Sequence, residues 1–163
     1  MSPLIIGLPR SRTAWLSVFM SQSDVYFHHE ALDGCHSIDE YKEKVKGCGD
    51  SSTALISSGL TIDRRMVIIN KTDDQIKRCI DWCDATFGVS SKSFILAENE
   101  KLKSLKGLHI NQSDIDSRLK DIWCHLVDTP WDDKYAKLSN FNIQVQSTSI
   151  DEEAAKALYE SIQ

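Results

Sequence analysis

The chain reads as an α/β protein, a mostly parallel central sheet with helices on both faces. Three observations predict it. Short apolar runs of strand length alternate with helix-period segments through most of the sequence, the pattern of successive βαβ units. The run Met66-Val67-Ile68-Ile69 is apolar throughout, as suits a strand covered on both faces. No repeat, linker or low-complexity tract divides the 163 residues, so residues 1–163 are expected to form one domain, large enough to bury a core without metal or disulfides.

Pro3–Gly7 is expected as the first strand. A helix follows from Arg12 or Thr13 to about Ser21, with Trp15, Leu16, Phe19 and Met20 on one apolar face. Ser23-Asp24 breaks the chain before a second strand at Val25–His29. Ser37 with Glu40 three residues on is a reciprocal capping pattern and starts a helix ending at Gly47. Cys48–Ser52 has loop chemistry and leads into a short helix through Leu55 and Ile56. Met66–Asn70 is the clearest internal strand. Asp73–Phe87 is helical, with Ile76, Ile80, Cys83 and Phe87 on one side. A further helix at Lys92–Leu105 stops at Gly107.

Leu108–Asn111 reads as a short strand, and Asp114–Val127 as an amphipathic helix through Ile115, Leu119, Ile122, Trp123 and Leu126. Beyond Pro130, Trp131–Leu138 is a short helix and Phe141–Gln146 a last strand. Asp151–Ile162 closes as an alanine-rich helix with the acidic first turn that the helix dipole favours.

Composition narrows the function classes. With 41% apolar and 26% charged residues, disorder is not expected. A formal charge of −5 argues against a generic nucleic-acid binder, whose affinity comes largely from phosphate neutralisation; nucleic acid is expected only as a substrate. No apolar run is long enough to cross a bilayer, and the break at Gly7-Leu8-Pro9-Arg10 speaks against a secretory signal. Five cysteines without paired spacing suit free thiols and a cytoplasmic location. Cys79 and Cys83, one helical turn apart, are expected in the core. No metal centre is expected, because His28, His29, Cys35 and His36 lack ligand-pair spacing.

The functional signal is Leu4-Ile5-Ile6-Gly7-Leu8-Pro9-Arg10-Ser11-Arg12-Thr13-Ala14-Trp15-Leu16. A strand ends at glycine, a loop carries two arginines and two hydroxyls, and a helix begins. Backbone N–H groups at a helix start, with the positive end of its dipole, form an anion cradle. The bland alternative is that these arginines merely pair with surface carboxylates. Against the nucleoside-triphosphate pattern G-x-x-x-x-G-K-[ST], Arg12, Thr13 and Ala14 stand at the second glycine, the lysine and the hydroxyl.

The loop resembles more closely the 5′-phosphosulfate-binding loop of the sulfotransferase branch of P-loop proteins, P-[KR]-S-G-T-[TS]-W-L. That resemblance implies a three-layer P-loop NTPase-like fold and a 3′-phosphoadenosine 5′-phosphosulfate donor held by Gly7, Pro9, Arg10, Ser11, Arg12, Thr13 and Ala14. Arginine can neutralise a sulfuryl group bidentately without magnesium. Arg12 stands where the family has glycine. After the central strand, Lys71, Asp73 and Cys79 stand where the family has arginine, proline and serine. Lys71 and Arg78 would meet the 3′-phosphate.

Ligands of parallel sheets sit at the carboxyl ends of strands, so His28-His29-Glu30 should lie near the loop. Strand alternation lets only one histidine face it. His29 is the expected base toward an acceptor hydroxyl or amine, with Glu30 orienting or replacing it; alternatively Glu30 is an ion-pair partner of Arg10 or Arg12. Asp50 would hold the acceptor or, more simply, cap a helix. Trp123, Trp131 and Tyr135 form either a core stripe or an acceptor pocket. Two rival expectations remain. One is a kinase-like enzyme using ATP with magnesium on Asp50, acting on a nucleoside or a modified DNA base of the kind found in phage. The other is a non-catalytic nucleotide- or anion-binding module.

Overall fold

The computed structural model describes residues 2–56, 58–60 and 64–140. Strands β1 (Leu4–Gly7), β2 (Phe27–His29), β3 (Gly49–Ser52), β4 (Met66–Asn70) and β5 (Leu108–Asn111) form one sheet in the order β2-β3-β1-β4-β5. All four pairings are parallel; Leu4 is level with Asp50 on one side and Met66 on the other. Helices α1 (Thr13–Met20), α2 (Ile38–Lys44), α3 (Asp73–Phe87), α4 (Lys92–Ser104) and α5 (Leu119–Leu126) cover it.

Alternation along the strands divides the core into two layers. Ile5, Phe27, Val67, Ile69 and Ile110 face α1 and α5, meeting Leu16, Phe19, Ile122 and Trp123. Leu4, Ile6, Met66 and Ile68 face α2, α3 and α4, meeting Tyr41, Ile76, Cys79, Ile95 and Leu102. Buried apolar area on both faces is what the unbroken apolar run of β4 requires. The result is a P-loop-like three-layer α/β fold.

The expected elements from Asp73–Phe87 and Leu108–Asn111 are found with those bounds. Three expectations are corrected. Gly49–Ser52 is not a loop leading to a helix cap but β3, second in the sheet and buried at all four residues. Its polar side chains are individually satisfied, and hydrogen-bonded polar groups can be buried where bare ones cannot. The stretch beginning at Asp114 is not one helix: 3-10 turns at Gln112–Asp114 and Asp116–Arg118 precede α5. The short helix after Pro130 is a 3-10 segment at Asp133–Asn140. The strand expected at 141–146 and the helix at 151–162 lie outside the described residues.

Trp123 lies fully buried against Tyr135 at 4.5 Å between ring centroids and meets Trp131 edge-on at 5.8 Å. These rings belong to the α1-side core, so the core reading holds rather than the acceptor pocket. All five cysteines are unpaired, and Cys79 and Cys83 are core residues as expected. Among the described residues, no helix is long and apolar enough to cross a membrane.

The topology chooses the site. From β1 the chain leaves toward β2 on one side, and from β4 toward β5 on the other. The two connections part above the carboxyl ends of β1 and β4, which opens the crevice where parallel sheets bind ligands.

Candidate functional site

Gly7 ends β1 beneath this crevice. A Cβ there would lie 2.9 Å from both Cβ and Oγ of Ser11 and 3.2 Å from Cβ of Ile69, so only glycine lets the loop fold back this tightly. Pro9 opens the turn. Arg10 and Arg12 then adopt left-handed backbone with φ of 66° and 60°. Each such non-glycine residue costs about 1–2 kcal/mol, so the conformation must be held by its surroundings.

Arg12 stands at the N-cap of α1 but supplies no side-chain cap, and the first turn carries no acid. Among the described residues, no acceptor takes the backbone N–H groups of Ser11, Arg12, Thr13 or Ala14. Ser11 itself is 0% exposed, and its Oγ is buried without a hydrogen-bond partner among the described residues. A buried hydroxyl of this kind costs about 1–3 kcal/mol until something satisfies it. Donors of an anion cradle are therefore gathered and uncommitted.

Beside the loop lies a cleft of about 290 Å³, lined by Arg10, Lys71, Gln75, Arg78, Cys79, Trp82 and Gln112. Three of these carry positive charge and none is a carboxylate. Arg10 lies 5.6 Å from the centroid of the Trp82 ring, a cation–π distance. Lys71 comes directly after β4 and donates to the Arg10 carbonyl at 3.0 Å and to Gln112 Oε1 at 2.5 Å. An ammonium has three donors, so one remains for the cleft. Burial, reinforced by Arg10 and Arg78, pulls the Lys71 pKa down to about 8 against the opposing influence of Cys79. Burial likewise pushes the Cys79 thiol up to about 11, so it lines the cleft as an uncharged group.

Of the other expected residues, Arg78 joins the cleft and Arg12 does not. Arg12 Nη1 donates to Asp116 at 2.8 Å, and its guanidinium stacks 4.4 Å from the Trp15 ring centroid. For Arg12, the carboxylate pairing offered by the sequence is the arrangement found.

His29 ends β2 on the loop side of the sheet. Its Nε2 lies 3.4 Å from Thr13 Oγ1, and its Nδ1 is buried without a partner among the described residues. Burial lowers its pKa although Glu30 raises it, which favours the neutral imidazole. Next to it in register, Ser51 donates to the Thr13 carbonyl at 2.7 Å and ties the start of α1 to β3. Glu30 does not pair with Arg10 or Arg12. Its carboxylate accepts from Ser52 Oγ at 2.6 Å and from Thr53 N and Oγ1 at 2.8 Å, and it lies 3.9 Å from His29 Nε2.

Asp50 points to the other layer. It is 0% exposed, accepts from the Ala31 amide at 3.1 Å and from the Tyr41 hydroxyl at 3.2 Å, and is brought neither to the loop nor to a helix cap. Burial raises its pKa to about 6, with Glu30 adding to the effect and the Ala31 hydrogen bond opposing it. Tyr41 in turn accepts from Arg64 at 2.8 Å, and its own pKa rises to about 12, chiefly through burial. Among the described residues, no three His, Cys, Asp or Glu side chains gather as a metal would need.

Sequence reasoning missed Gln75, Trp82 and Gln112. A signal existed for two of them. Gln75, Arg78, Cys79 and Trp82 recur at helical spacing on α3, and an aromatic beside an arginine on the helix after the central strand marks the face turned to the crevice. No family model, no curated protein and no solved structure matches this chain, so the loop and the cleft themselves carry the functional reading.

Proposed function

We propose that the protein is a small sulfotransferase-like group transferase, moving a sulfuryl group from 3′-phosphoadenosine 5′-phosphosulfate to an acceptor hydroxyl or amine. The observation that carries this reading is the pairing of an uncommitted cradle with a cleft of three cations and no acid. A nucleotide bearing charge at both its 3′ and 5′ ends suits that pairing. The rival expectation, a magnesium-dependent phosphotransferase, places its metal on Asp50, and Asp50 is turned to the opposite layer.

The free amides and Ser11 would receive the sulfuryl and 5′-phosphate oxygens, with Arg10 over them. Lys71 and Arg78 would meet the 3′-phosphate. Neutral His29, beside Thr13, would take the proton of the acceptor as its oxygen or nitrogen bonds to sulfur. The bond from sulfur to the bridging oxygen breaks, and the charge left on the nucleotide is stabilised by the loop amides. Glu30, fixed by Ser52 and Thr53, would orient His29 rather than replace it.

Thermal unfolding with three ligands tests the proposal. Adenosine 3′,5′-bisphosphate without metal should raise the melting temperature more than sulfate does. Stabilisation by ATP only when magnesium is added would instead mean phosphoryl transfer. A response to sulfate alone would leave a non-catalytic anion-binding module.

A further inference from the structure

We infer that residues 112–118, the turns after β5, act as a strap that holds the anion loop in its binding conformation, with Gln112 as the main positioning residue and Asp116 as a secondary one. The inference deepens the anion-loop reading and rests on it. Two ties reach the loop from this segment. Gln112 Nε2 donates to the Arg10 carbonyl at 3.0 Å, while its Oε1 accepts from Lys71, whose Nζ reaches the same carbonyl. Four residues on, Asp116 takes the Arg12 guanidinium.

The tied residues are the two left-handed ones of the loop; the other non-glycine residue with positive φ, Glu30, lies after β2. That conformation is disfavoured for any residue with a Cβ, so it persists only where outside contacts fix it. The Arg10 carbonyl receives two donors at once. With its carbonyl engaged, the following amides stay directed at the cradle. The same amide of Gln112 also sets the place of Lys71: its Oε1 takes one ammonium donor, the Arg10 carbonyl takes a second, and the third is left to the cleft.

The ties differ in strength. The Gln112–Lys71–Arg10 junction involves a half-buried cation and three hydrogen bonds, whereas the Arg12–Asp116 pair is 29% and 53% exposed and weakened by solvent. Neither Gln112 nor Asp116 lies in the core, so their substitutions leave the fold in place.

The test uses the full chain, without ligand first. Amide hydrogen exchange at Leu16, whose N–H donates to the carbonyl of loop residue Arg12 at 2.9 Å, should accelerate about tenfold in Gln112→Ala and about threefold in Asp116→Ala. Exchange in β4 should stay unchanged. Asp116→Glu, which keeps the carboxylate, should restore the wild-type rate. Affinity for adenosine 3′,5′-bisphosphate, measured by calorimetry, should fall by the same factors while the melting temperature changes little. Leu16 exchange that is unchanged in both alanine variants would overturn the strap. If Leu16 exchange accelerates but the wild-type protein binds no bisphosphate, the strap stands and the anion reading falls.

Discussion

Two helices start side by side at the carboxyl edge of the sheet and end their first turns in opposite ways. Helix α3, after β4, closes on itself: Thr72 accepts from the Gln75 amide, Gln75 accepts from the Thr72 amide, and Asp73 and Asp74 meet the dipole. Helix α1, after β1, has no side-chain cap, no acid in its first turn, a strained entry and a buried hydroxyl without a partner among the described residues. Where a chain can cap a helix locally it gains about 1 kcal/mol. Leaving α1 open beside a cationic cleft reserves its donors for an external anion, and α3 shows that the same sheet edge supports a closed start.

The comparison breaks most sharply at Lys71, which joins the two starts. Lys71→Met removes a charged donor from the cleft and should weaken adenosine 3′,5′-bisphosphate binding about thirtyfold, read by calorimetry. The pH profile follows from its lowered pKa. Lys71 is charged below about 8 and loses its proton above it, so affinity should hold from neutral pH to about 8 and decline beyond, with proton uptake on binding in that range. A flat profile to pH 10 would remove Lys71 from the site.

Opening α3 should do something different in kind. Thr72→Ala costs about 1 kcal/mol in urea unfolding and leaves the bisphosphate response intact, because Thr72 itself does not line the cleft. Arg12→Gly has the smallest effect on stability, within about 1 kcal/mol. Relief of the left-handed strain offsets loss of the exposed Asp116 pair. A large loss of stability in this variant would show that the ion pair, not the backbone, sets the loop.

Much of this was legible in the residues. Gly7 followed by charged and hydroxyl residues announced the loop, and the apolar run at Met66–Asn70 and the helical stretch at Asp73–Phe87 marked the strand that Lys71 follows and the helix that carries Arg78. What hydropathy could not reveal was β3. Asp50, Ser51 and Ser52 are buried polar residues, each satisfied by a partner far away in sequence: Tyr41, the Thr13 carbonyl and Glu30. Periodicity records water avoidance, not such pairings. Gln112 was hidden for the same reason, since its partners Arg10 and Lys71 become neighbours only when the sheet is assembled.

The strand order has a consequence for the newly made chain. Of the five strands β1 is made before the others, yet its neighbours are β3 and β4, and the contacts that fix Arg10 and Arg12 come from residues as late as Asp116. Pairings so distant in sequence are slow to form and wait for the intervening residues. The loop after β1 is therefore completed only after β5 has been made, and a ribosome-bound fragment ending before β5 would carry the loop sequence without its ability to grip an anion.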